Sequence, residues 1–311
     1  MKITAVISSW NRRDAVAANV AALKAGTRPP DEIVVVDNAS TDDTLQMLAD
    51  DHPDVVAVRT ADDQYGACET FNMGFKLARG DAVAIMDDDV VATKTWLEVL
   101  EQTMLAEPAS TGMVSGRVVE PGMPAAYIDA EITRGRYYAS TFRGCGTLAR
   151  ASVLAEAGYY DERFFIYGNE RDLSARVLGL GYRILQIPDA VIDHSTPFGM
   201  KAGPRSLYFH VRNFWLYAFK NCRWSDVFAV AARMARKALG GGGSAGAGAT
   251  GSDADKELEA TGTMGLAQSM KETPGARTIV IKATLNALLN LPYCLARRSP
   301  VDAPDFKLPG R

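Results

Sequence analysis

Continuous apolar runs alternate with segments of helical period over the first ninety or so residues. The apolar runs are ITAVIS, EIVVVDN, VVAVRT and AVAIMD, and such runs are typical of strands that are buried on both faces. Between them, DAVAANVAALKAG, STDDTLQMLADD and GACETFNMGFKLARG carry apolar residues at helical spacing, and Gly26 and Gly80 act as stop signals. The alternation predicts an α/β fold, with a mostly parallel sheet and helices on both of its faces.

The later part of the chain differs from the first ninety residues in strand length and in composition. Shorter strand-like segments with more glycine and aromatic residues follow, and NERDLSARVLGLG predicts a helix that glycine ends. RILQIPDAVIDH predicts a pair of strands near an edge of the sheet, because Pro188 cannot donate to a strand ladder. Residues 240–265 are rich in Gly, Ala and Ser and predict a flexible linker, and ARTIVIKATLNALLNL predicts a further helix.

Polar residues follow each of the four apolar runs. The first run ends in Ser8-Ser9-Trp10-Asn11-Arg12, the second in Asp37-Asn38, the third is followed by Asp62-Asp63, and the fourth runs into Asp87-Asp88-Asp89. In open α/β sheets, ligands bind beyond the carboxyl ends of the strands. Loops are polar in any case, but four polar ends on one edge, three of them acidic, predict a ligand site.

The acidic triplet has a cost that needs compensation. Like charges repel, so a fold that gathers Asp87, Asp88 and Asp89 at one strand end requires positive charge among them. Mg²⁺ and Mn²⁺ are hard cations that take oxygen ligands and can bridge carboxylates to a diphosphate. Such a metal neutralises the charge that grows on a departing nucleoside diphosphate. The triplet therefore predicts a site for a metal and a ribose.

Composition and charge narrow the classes of function. The chain has 311 residues, of which 47% are hydrophobic and 23% charged, with a formal net charge of −3, which argues against a general nucleic-acid binder. Residues 201–239, however, hold eight Lys or Arg and one acid, so this segment is at +7 and the remainder at −10. Its aromatics fit either core packing or an interfacial helix on an anionic membrane surface, with RNA binding as a weaker alternative.

Cysteine spacing and hydropathy bear on the compartment. Cys68, Cys145, Cys222 and Cys294 are scattered without metal-type spacing, and Met1 leads directly into a strand-like run without a signal peptide. No apolar run reaches the roughly 18 residues of a membrane span. We therefore expect a cytoplasmic protein, with a peripheral position at the inner face of the cell membrane as an open alternative.

The sequence resembles the family 2 inverting glycosyltransferases of GT-A fold, in particular the rhamnosyltransferase-like branch that builds cell-surface polysaccharides. The matching segments, in the family's order, are VISSWNRRD, EIVVVDNASTDDT, FNMGFKLARGDAVAIMDDDV and the long run from FRGCGTLAR to DHSTP. The resemblance implies a GT-A domain over 1–200, with a nucleotide-binding half at about 1–95 and an acceptor half at 96–200. The segments 201–239, 240–265 and 266–311 are then a basic aromatic helical extension, a linker, and a C-terminal helix with a tail.

Matched position by position, the resemblance also implies residue roles. Asp37 reads the base of the donor nucleotide, helped by the strand-end residues Ser8, Trp10, Asn11, Arg12, Asn38 and Asp62. Asp87 or Asp88 binds the ribose, and Asp89 binds the metal. His194 matches a histidine that completes the metal or diphosphate site, although a lone histidine is more often structural.

The catalytic base of the family lies in an acidic pair that is followed, after one residue, by Asp-Leu. In this sequence the corresponding segment is Asn169-Glu170-Arg171-Asp172-Leu173. Asn169 replaces the first acid of the pair, and Glu170 occupies the position of the base. A glutamate can take a hydroxyl proton if it is well placed. Asp172 is the alternative base, or the residue that orients Arg171 or Arg176. Gly144, within FRGCGTLAR, would let the backbone approach the donor sugar or acceptor, although a plain turn explains it nearly as well.

These residues predict a hexosyltransferase that moves a sugar from a UDP- or dTDP-sugar to a hydroxyl of a glycan or lipid-linked acceptor. A soluble natural-product acceptor is an open alternative. A nucleotidyltransferase of related fold is a rival, although SSWNRRD lacks the glycine-rich loop that is usual there. A nucleotide-sugar-binding protein without catalysis is a second rival, which the intact set of acids disfavours.

Overall fold

The first four strands form the parallel half of one sheet, as the sequence predicts. In the computed structural model, which describes residues 1–199, 201–239 and 266–307, the sheet order begins β3-β2-β1-β4. The strands are β1 (Ile3–Ser9), β2 (Glu32–Asp37), β3 (Val56–Arg59) and β4 (Ala82–Asp87). The helices that connect them are α1 (Arg13–Lys24), α2 (Thr44–Asp51) and α3 (Ala67–Leu77). All three pairings among these strands are parallel, so their carboxyl ends lie at one edge.

Beyond β4 the sheet is mixed. It continues in the order β8-β6-β9-β5, where β8 runs antiparallel to both β4 and β6, and β6 runs parallel to β9. The strands are β5 (Val90–Ala92), β6 (Thr111–Val119), β7 (Tyr137–Tyr138), β8 (Thr147–Arg150) and β9 (Arg183–His194). The helices are α4 (Trp96–Ala106), α5 (Ala125–Ile128), α6 (Glu131–Arg134), α7 (Ala151–Ala157), a 3₁₀ turn (Glu162–Phe164) and α8 (Asn169–Gly179).

The prediction of a strand pair in RILQIPDAVIDH is wrong, because this segment forms the single long strand β9. The strand stays continuous because its register against β6 shifts between the pairs Ser115–Gln186 and Arg117–Val191. Pro188 lies inside this shift, where the ladder is interrupted and no backbone N–H is needed. The strand pairs with β6 on one side and with β5 and β7 on the other.

Helices cover both faces of the sheet, because side chains of a strand alternate between the faces. On one face Val6 and Val34 pack in a core with apolar residues of α3, α7 and α8. On the other face Ile7 and Val35 pack with residues of α1, α2 and α4. The prediction of an α/β fold with helices on both faces is confirmed.

The basic aromatic segment begins with a helix that belongs to the core. The C-terminal helices are α9 (Pro204–Asn221), α10 (Trp224–Leu239), α11 (Leu266–Glu272), α12 (Ala276–Leu289) and α13 (Leu291–Ala296). Trp215, Tyr217 and Phe219 of α9 are buried, and Phe214 is partly buried against the same cluster. Phe228 of α10, by contrast, is 67% exposed. Of the aromatics that fitted a membrane surface, those in α9 therefore pack inside the protein.

Two sequence-based expectations lie outside what the structure describes. They are the flexible character of 240–265 and the basic side chains of Arg233, Arg236 and Lys237. Within the described helices, none combines the length and the apolar character that a bilayer crossing requires.

A buried ion network joins α9 to α8 and to the segment before it. Lys220 is 2% exposed, and its Nζ lies 2.5 Å from Asp161 and 2.8 Å from Asp172. Asp172 is fully buried, and it also pairs with Arg176 at 3.0 Å and accepts a hydrogen bond from Asn221. Burial alone would raise the pKa of Asp172, but the charges of Arg176 and Lys220 lower it. The carboxylate is thus held in its charged form inside the protein.

We predict that Lys220→Met lowers the free energy of unfolding by roughly 3 kcal/mol or more, because it leaves two buried carboxylates without their shared cation. Urea unfolding followed by circular dichroism measures the change. Lys76→Met removes an exposed lysine and serves as the control, with little expected effect. A Lys220→Met variant as stable as the wild type would contradict the role of the network.

Candidate active site

The acidic triplet lies at the carboxyl edge of the sheet, where β9 brings a histidine to it. Asp87 ends β4, and Val90 of β5 pairs with His194 at the end of β9. The Nε2 atom of His194 lies 3.1 Å from Oδ1 of Asp89. One ligand atom from each of Asp87, Asp89 and His194 lies within 4.8 Å of the others. Residues more than a hundred positions apart therefore converge on one cluster.

Two further side chains complete the surroundings of Asp89. Thr196 donates a hydrogen bond to Oδ2 of Asp89 at 2.7 Å. Glu120, which follows β6, lies 2.8 Å from Nδ1 of His194 and so holds the imidazole from its other side. Neither Glu120 nor Thr196 was predicted. Glu120 carried a usable signal, since it is an acid that directly follows a strand.

The protonation of this cluster follows from its burial and its contacts. Burial alone would lower the pKa of His194, but hydrogen bonds to Asp89 and Glu120 raise it to about 10. Burial alone would raise the pKa of Asp89, but the hydrogen bonds from His194 and Thr196 lower it to about 2. His194 is therefore a cation and Asp89 an anion at neutral pH, so the histidine supplies the positive charge that the triplet requires.

Asp87 and Asp88 have the opposite tendency. Burial raises the pKa of Asp87 to about 7, and the neighbouring charges of Glu170 and Asp89 add to the effect. Burial also raises the pKa of Asp88 to about 6, and the charge of Asp89 adds to the shift. Both side chains remain partly exposed. They are carboxylates whose charged form is costly unless a cation is close.

The donor set fits a divalent cation of the Mg²⁺ or Mn²⁺ type. Such ions prefer oxygen ligands, and Mn²⁺ also accepts imidazole nitrogen. Asp87 and Asp89 offer carboxylate oxygens, and His194 would offer Nε2 once the metal displaces the proton that this nitrogen shares with Asp89. A bound cation would offset the burial and the neighbouring charges that raise the pKa of Asp87.

Asp37 lies in a second part of the edge, at the end of β2. It is fully buried, its Oδ2 accepts a hydrogen bond from the backbone N–H of Ser40, and its Oδ1 has no partner among the residues that the structure describes. A buried acceptor without a partner is costly. Asn38 beside it donates to the carbonyl of Tyr65. The Oδ1 atom of Asp37 can therefore accept a hydrogen bond from a ligand.

The loop after β1 is fixed against the loop after β2. The backbone N–H of Asn11 donates to Oγ of Ser40, and Oδ1 of Asn11 accepts from the N–H of Thr41. Asn11 has a φ of 53°, a left-handed conformation that asparagine tolerates better than most residues. Trp10 next to it is 49% exposed, and its backbone N–H donates to Oδ2 of Asp88 at 3.4 Å. The two loops thus form one rim beside the triplet.

Three other residues that were predicted to bind the nucleotide-sugar, Ser8, Arg12 and Asp62, differ in exposure and in their contacts. Arg12 is exposed and its charge acts on Asp88 and Asp89. Ser8 shares a hydrogen bond with Thr70 of α3 at 2.7 Å. Asp62 is exposed, and its side chain accepts from the N–H of Gln64 in its own loop. Asp62 has the weakest structural link to the site.

Glu170 stands in the first turn of α8, partly buried and close to the triplet. Burial raises its pKa, and its charge in turn raises the pKa of Asp87. Gly144 packs directly on it, since a Cβ at Gly144 would lie 2.5 Å from Oε1 of Glu170. Only glycine fits at position 144 without displacing Glu170. The position of Gly144 is thus explained by contact with Glu170.

Asp172, the alternative base, has a different environment from Glu170. Its two carboxylate oxygens are occupied by Lys220, Arg176 and Asn221, and its side chain is inaccessible to solvent. It joins α8 to α9, whereas Glu170 on the same helix is partly exposed.

The backbone turn that leads into α8 is strained, and a side chain of α9 holds it in place. Phe165 and Tyr167 have φ values of 65° and 66°, which are unfavourable for aromatic residues. The side-chain NH2 group of Asn213 in α9 lies 2.7–2.8 Å from the carbonyl oxygens of Phe164, Ile166 and Tyr167, so its two hydrogens are shared among three acceptors. These bonds keep the strained turn in place. Asn213 was not predicted, since no local signal marks a helix residue that clamps a distant loop.

Comparison with known proteins identifies the family of the chain. The family model described as glycosyl transferase family 2 matches residues 4–146, which include Asp37, the acidic triplet and Gly144. Glucosyl-dolichyl phosphate glucuronosyltransferase of Haloferax volcanii is 29% identical over 123 residues, which cover 38% of this chain and 39% of that protein. The chain thus spans well under half of that relative.

A second relative matches over a longer stretch. The galactofuranosyltransferase GlfT1 of Mycobacterium tuberculosis is 30% identical over 217 residues, which cover 62% of this chain and 69% of GlfT1.

Two solved structures share the fold. TarS 1-349 of S. aureus in complex with UDP-GlcNAc superimposes with a TM-score of 0.59 at 15% identity, over 96% of this chain and 84% of that chain. Mannosyltransferase PcManGT from Pyrobaculum calidifontis, in complex with GDP-Man and Mn²⁺, gives a TM-score of 0.57 at 20% identity, over 94% and 87%. The fold is therefore the GT-A glycosyltransferase fold, and with the match to GlfT1 and the family model, the chain belongs to glycosyl transferase family 2.

Proposed function

We propose that this enzyme transfers a sugar from a UDP- or dTDP-sugar to a hydroxyl of a glycan or lipid-linked acceptor, with inversion at the anomeric carbon. The observation that carries the proposal is the cluster of Asp87, Asp89 and His194 at the carboxyl edge of the sheet, whose potential ligand atoms lie within 4.8 Å of one another. A leaving diphosphate and an attacking hydroxyl need a cation site and a base on opposite sides of one carbon. The cluster supports the cation site, and Glu170, whose charge acts on Asp87, is the proposed base.

Asp37 supports the choice of nucleotide. Uracil and thymine carry an N–H at N3, which can donate to the buried Oδ1 atom of Asp37 that has no other partner. The rim made by Asn11 and Ser40 lies beside it. Ser8, Trp10, Arg12, Asn38 and Asp62 remain proposed contacts to the nucleotide-sugar.

Asp87, Asp89 and His194 would hold Mg²⁺ or Mn²⁺, and Asp88 the ribose. When bound, the metal stabilises the negative charge that develops on the diphosphate. Arg12 is placed to add positive charge at the same rim, since its charge already acts on Asp88 and Asp89.

Glu170 is proposed as the base. Its carboxylate takes the proton of the acceptor hydroxyl, the hydroxyl oxygen bonds to the anomeric carbon, and the bond from that carbon to the diphosphate breaks. A raised pKa makes Glu170 a stronger base than an ordinary glutamate. Asp172 is proposed as a positioning residue, because its carboxylate is fully paired inside the protein. Gly144 leaves the space that Glu170 occupies.

The acceptor is proposed to be a saccharide on a lipid carrier at an anionic membrane surface. The Haloferax relative is named a glucosyl-dolichyl phosphate glucuronosyltransferase, and a sugar on a dolichyl-phosphate carrier is an acceptor of this class, which supports the choice. The sequence resemblance supports the rhamnosyltransferase-like branch and a place in cell-surface polysaccharide biosynthesis. A soluble natural-product acceptor is the alternative.

The metal assignment is tested with Asp89→Asn, which keeps the shape of the side chain and removes its charge. We expect UDP affinity to lose its dependence on Mn²⁺, with a drop of roughly tenfold or more in the presence of the metal. Isothermal titration calorimetry measures the affinity with Mn²⁺ and with a chelator. Asp63→Asn, at an exposed acid of the neighbouring loop, is the control. Retention of the full Mn²⁺ effect in Asp89→Asn rules out the assignment.

The nucleotide assignment is tested by comparing UDP and dTDP with CDP. We expect UDP and dTDP to bind about tenfold more tightly than CDP, because cytosine presents an acceptor at N3 to the Asp37 carboxylate. Asp37→Asn should reduce this preference, since an amide can donate as well as accept. Equal binding of UDP and CDP by the wild type would be evidence against Asp37 as the base reader.

The base is tested by measuring release of free UDP or dTDP from donor and acceptor. Glu170→Gln should lower kcat by roughly 100-fold or more, with donor affinity and stability little changed. Asp172→Asn should lower stability and leave the folded fraction active. The reverse outcome assigns the base to Asp172. Release of pyrophosphate in place of the diphosphate would identify a nucleotidyltransferase.

A further inference from the structure

Helix α12 packs its small side chains inward and its large apolar side chains outward. Ala283 and Ala287 are fully buried in the core cluster that includes α9. Ile281, Leu285 and Leu289 are 59%, 56% and 80% exposed. An ordinary surface helix has the opposite arrangement, with its large apolar residues in the core.

The exposed apolar surface extends beyond α12. Leu288 at the end of α12 and Leu295 in α13 are 47% and 45% exposed. Arg298, directly after α13, lies over the ring of Trp224 at 4.1 Å, and Trp224 and Phe228 of α10 are themselves exposed. We call the exposed residues of α12 and α13 the α12–α13 face. Ile281, Leu285, Leu288 and Leu289 follow helical spacing and share one side of α12, and an exposed apolar surface of this kind marks an interaction site.

The charge of this region is of one sign. Residues 273–301 contain Arg277, Lys282, Arg297 and Arg298 and no Asp or Glu. Arg277 and Lys282 are exposed on α12 itself, beside Ile281. Apolar residues among basic ones suit a bilayer that carries anionic headgroups, since the apolar side chains enter the interface and the cations meet the phosphates.

We propose that the α12–α13 face docks on an anionic membrane surface. This rests on the proposed meeting of the enzyme with a lipid-linked acceptor, and it names the surface that makes the contact. It also moves the contact away from α9, whose aromatics lie in the core.

Two other occupants fit less well. A second copy of the chain would place like charges opposite one another across a symmetric contact. The segment 240–265 has four acids that could pair with the basic residues, but Leu258 and Met264 are its only large apolar residues. Neither matches an apolar surface with basic neighbours as a bilayer does.

The face is connected to the proposed base through the helices beneath it. The guanidinium of Arg212 in α9 donates to Oδ1 of Asn286 in α12 and to the carbonyl of Arg163. The next residue, Asn213, holds the turn that leads into the helix of Glu170. A membrane at the α12–α13 face would therefore lie one helix layer away from the loop that positions the base.

The test is co-sedimentation of the full chain with vesicles. We expect binding to vesicles of equal parts phosphatidylglycerol and phosphatidylcholine, weaker binding to pure phosphatidylcholine, and a decrease as salt rises. The triple variant Ile281→Ser, Leu285→Ser, Leu289→Ser should lower the partition coefficient by roughly tenfold or more, since it removes three apolar side chains that would enter the bilayer. Leu105→Ser, at a leucine of α4 that is 61% exposed, is the control.

A second pair of variants tests the charge. Arg277→Glu with Lys282→Glu should lower binding to the anionic vesicles by roughly tenfold or more. Lys2→Glu with Lys76→Glu makes the same change in net charge at exposed positions elsewhere, and should retain binding. If both pairs lose binding equally, net charge and not this face is responsible, and the proposal fails.

Three further results would also overturn the proposal. They are wild-type protein that does not sediment with anionic vesicles, equal sedimentation with neutral vesicles, and a dimer in light scattering that the serine variant dissociates. UDP release on a soluble acceptor, measured in parallel, keeps the two proposals separate. Vesicle binding without turnover rejects the proposed reaction alone, and turnover without vesicle binding rejects the docking surface alone.

Discussion

Repulsion among carboxylates at the carboxyl edge of the sheet is the constraint on which the site depends. Asp87, Asp88 and Asp89 leave β4 together, and Glu170 adds its charge to theirs. His194 offsets part of this charge, because two hydrogen bonds keep the imidazole protonated. The raised pKa values of Asp87 and Asp88 show that compensation is incomplete in the protein alone. Such an edge favours a cation among its carboxylates, which supports the proposed metal site.

The second half of the chain serves to place one acid, Glu170, against that edge. Its helix α8 is joined to α9 by the buried pairs of Asp172 with Lys220, and the turn before it is held by Asn213. Such a turn costs free energy, and the hydrogen bonds from Asn213 offset that cost. Helix α9 supports the turn before the proposed base and also packs against α12. The same helix therefore contacts the core, the loop of the proposed base and the helix that bears the α12–α13 face.

Much of the fold and part of the site could be predicted from the sequence. Apolar runs and helical periods are local signals, so they identified the four parallel strands and the helices between them. The strand-end rule then brought Asp37 and the acidic triplet to one edge. The single strand β9 was missed, because the register shift that accommodates Pro188 depends on β6 and leaves no local trace. Thr196 and Asn213 were likewise missed because no local signal marks them, whereas Glu120 was missed although it directly follows a strand.

The sequence by itself determined the α/β class, the acidic edge and the resemblance to family 2 glycosyltransferases, because each depends on residue order or spacing. Only the tertiary structure distinguished the environments of Glu170 and Asp172, two acids on one helix turn. Their sequence context is nearly the same, but Lys220 neutralises one of them from a helix almost fifty residues away. The same holds for the C-terminal leucines, since periodicity gives an apolar face and not the direction in which it points. That direction is set by Ala283 and Ala287, which permit close packing where larger residues would not.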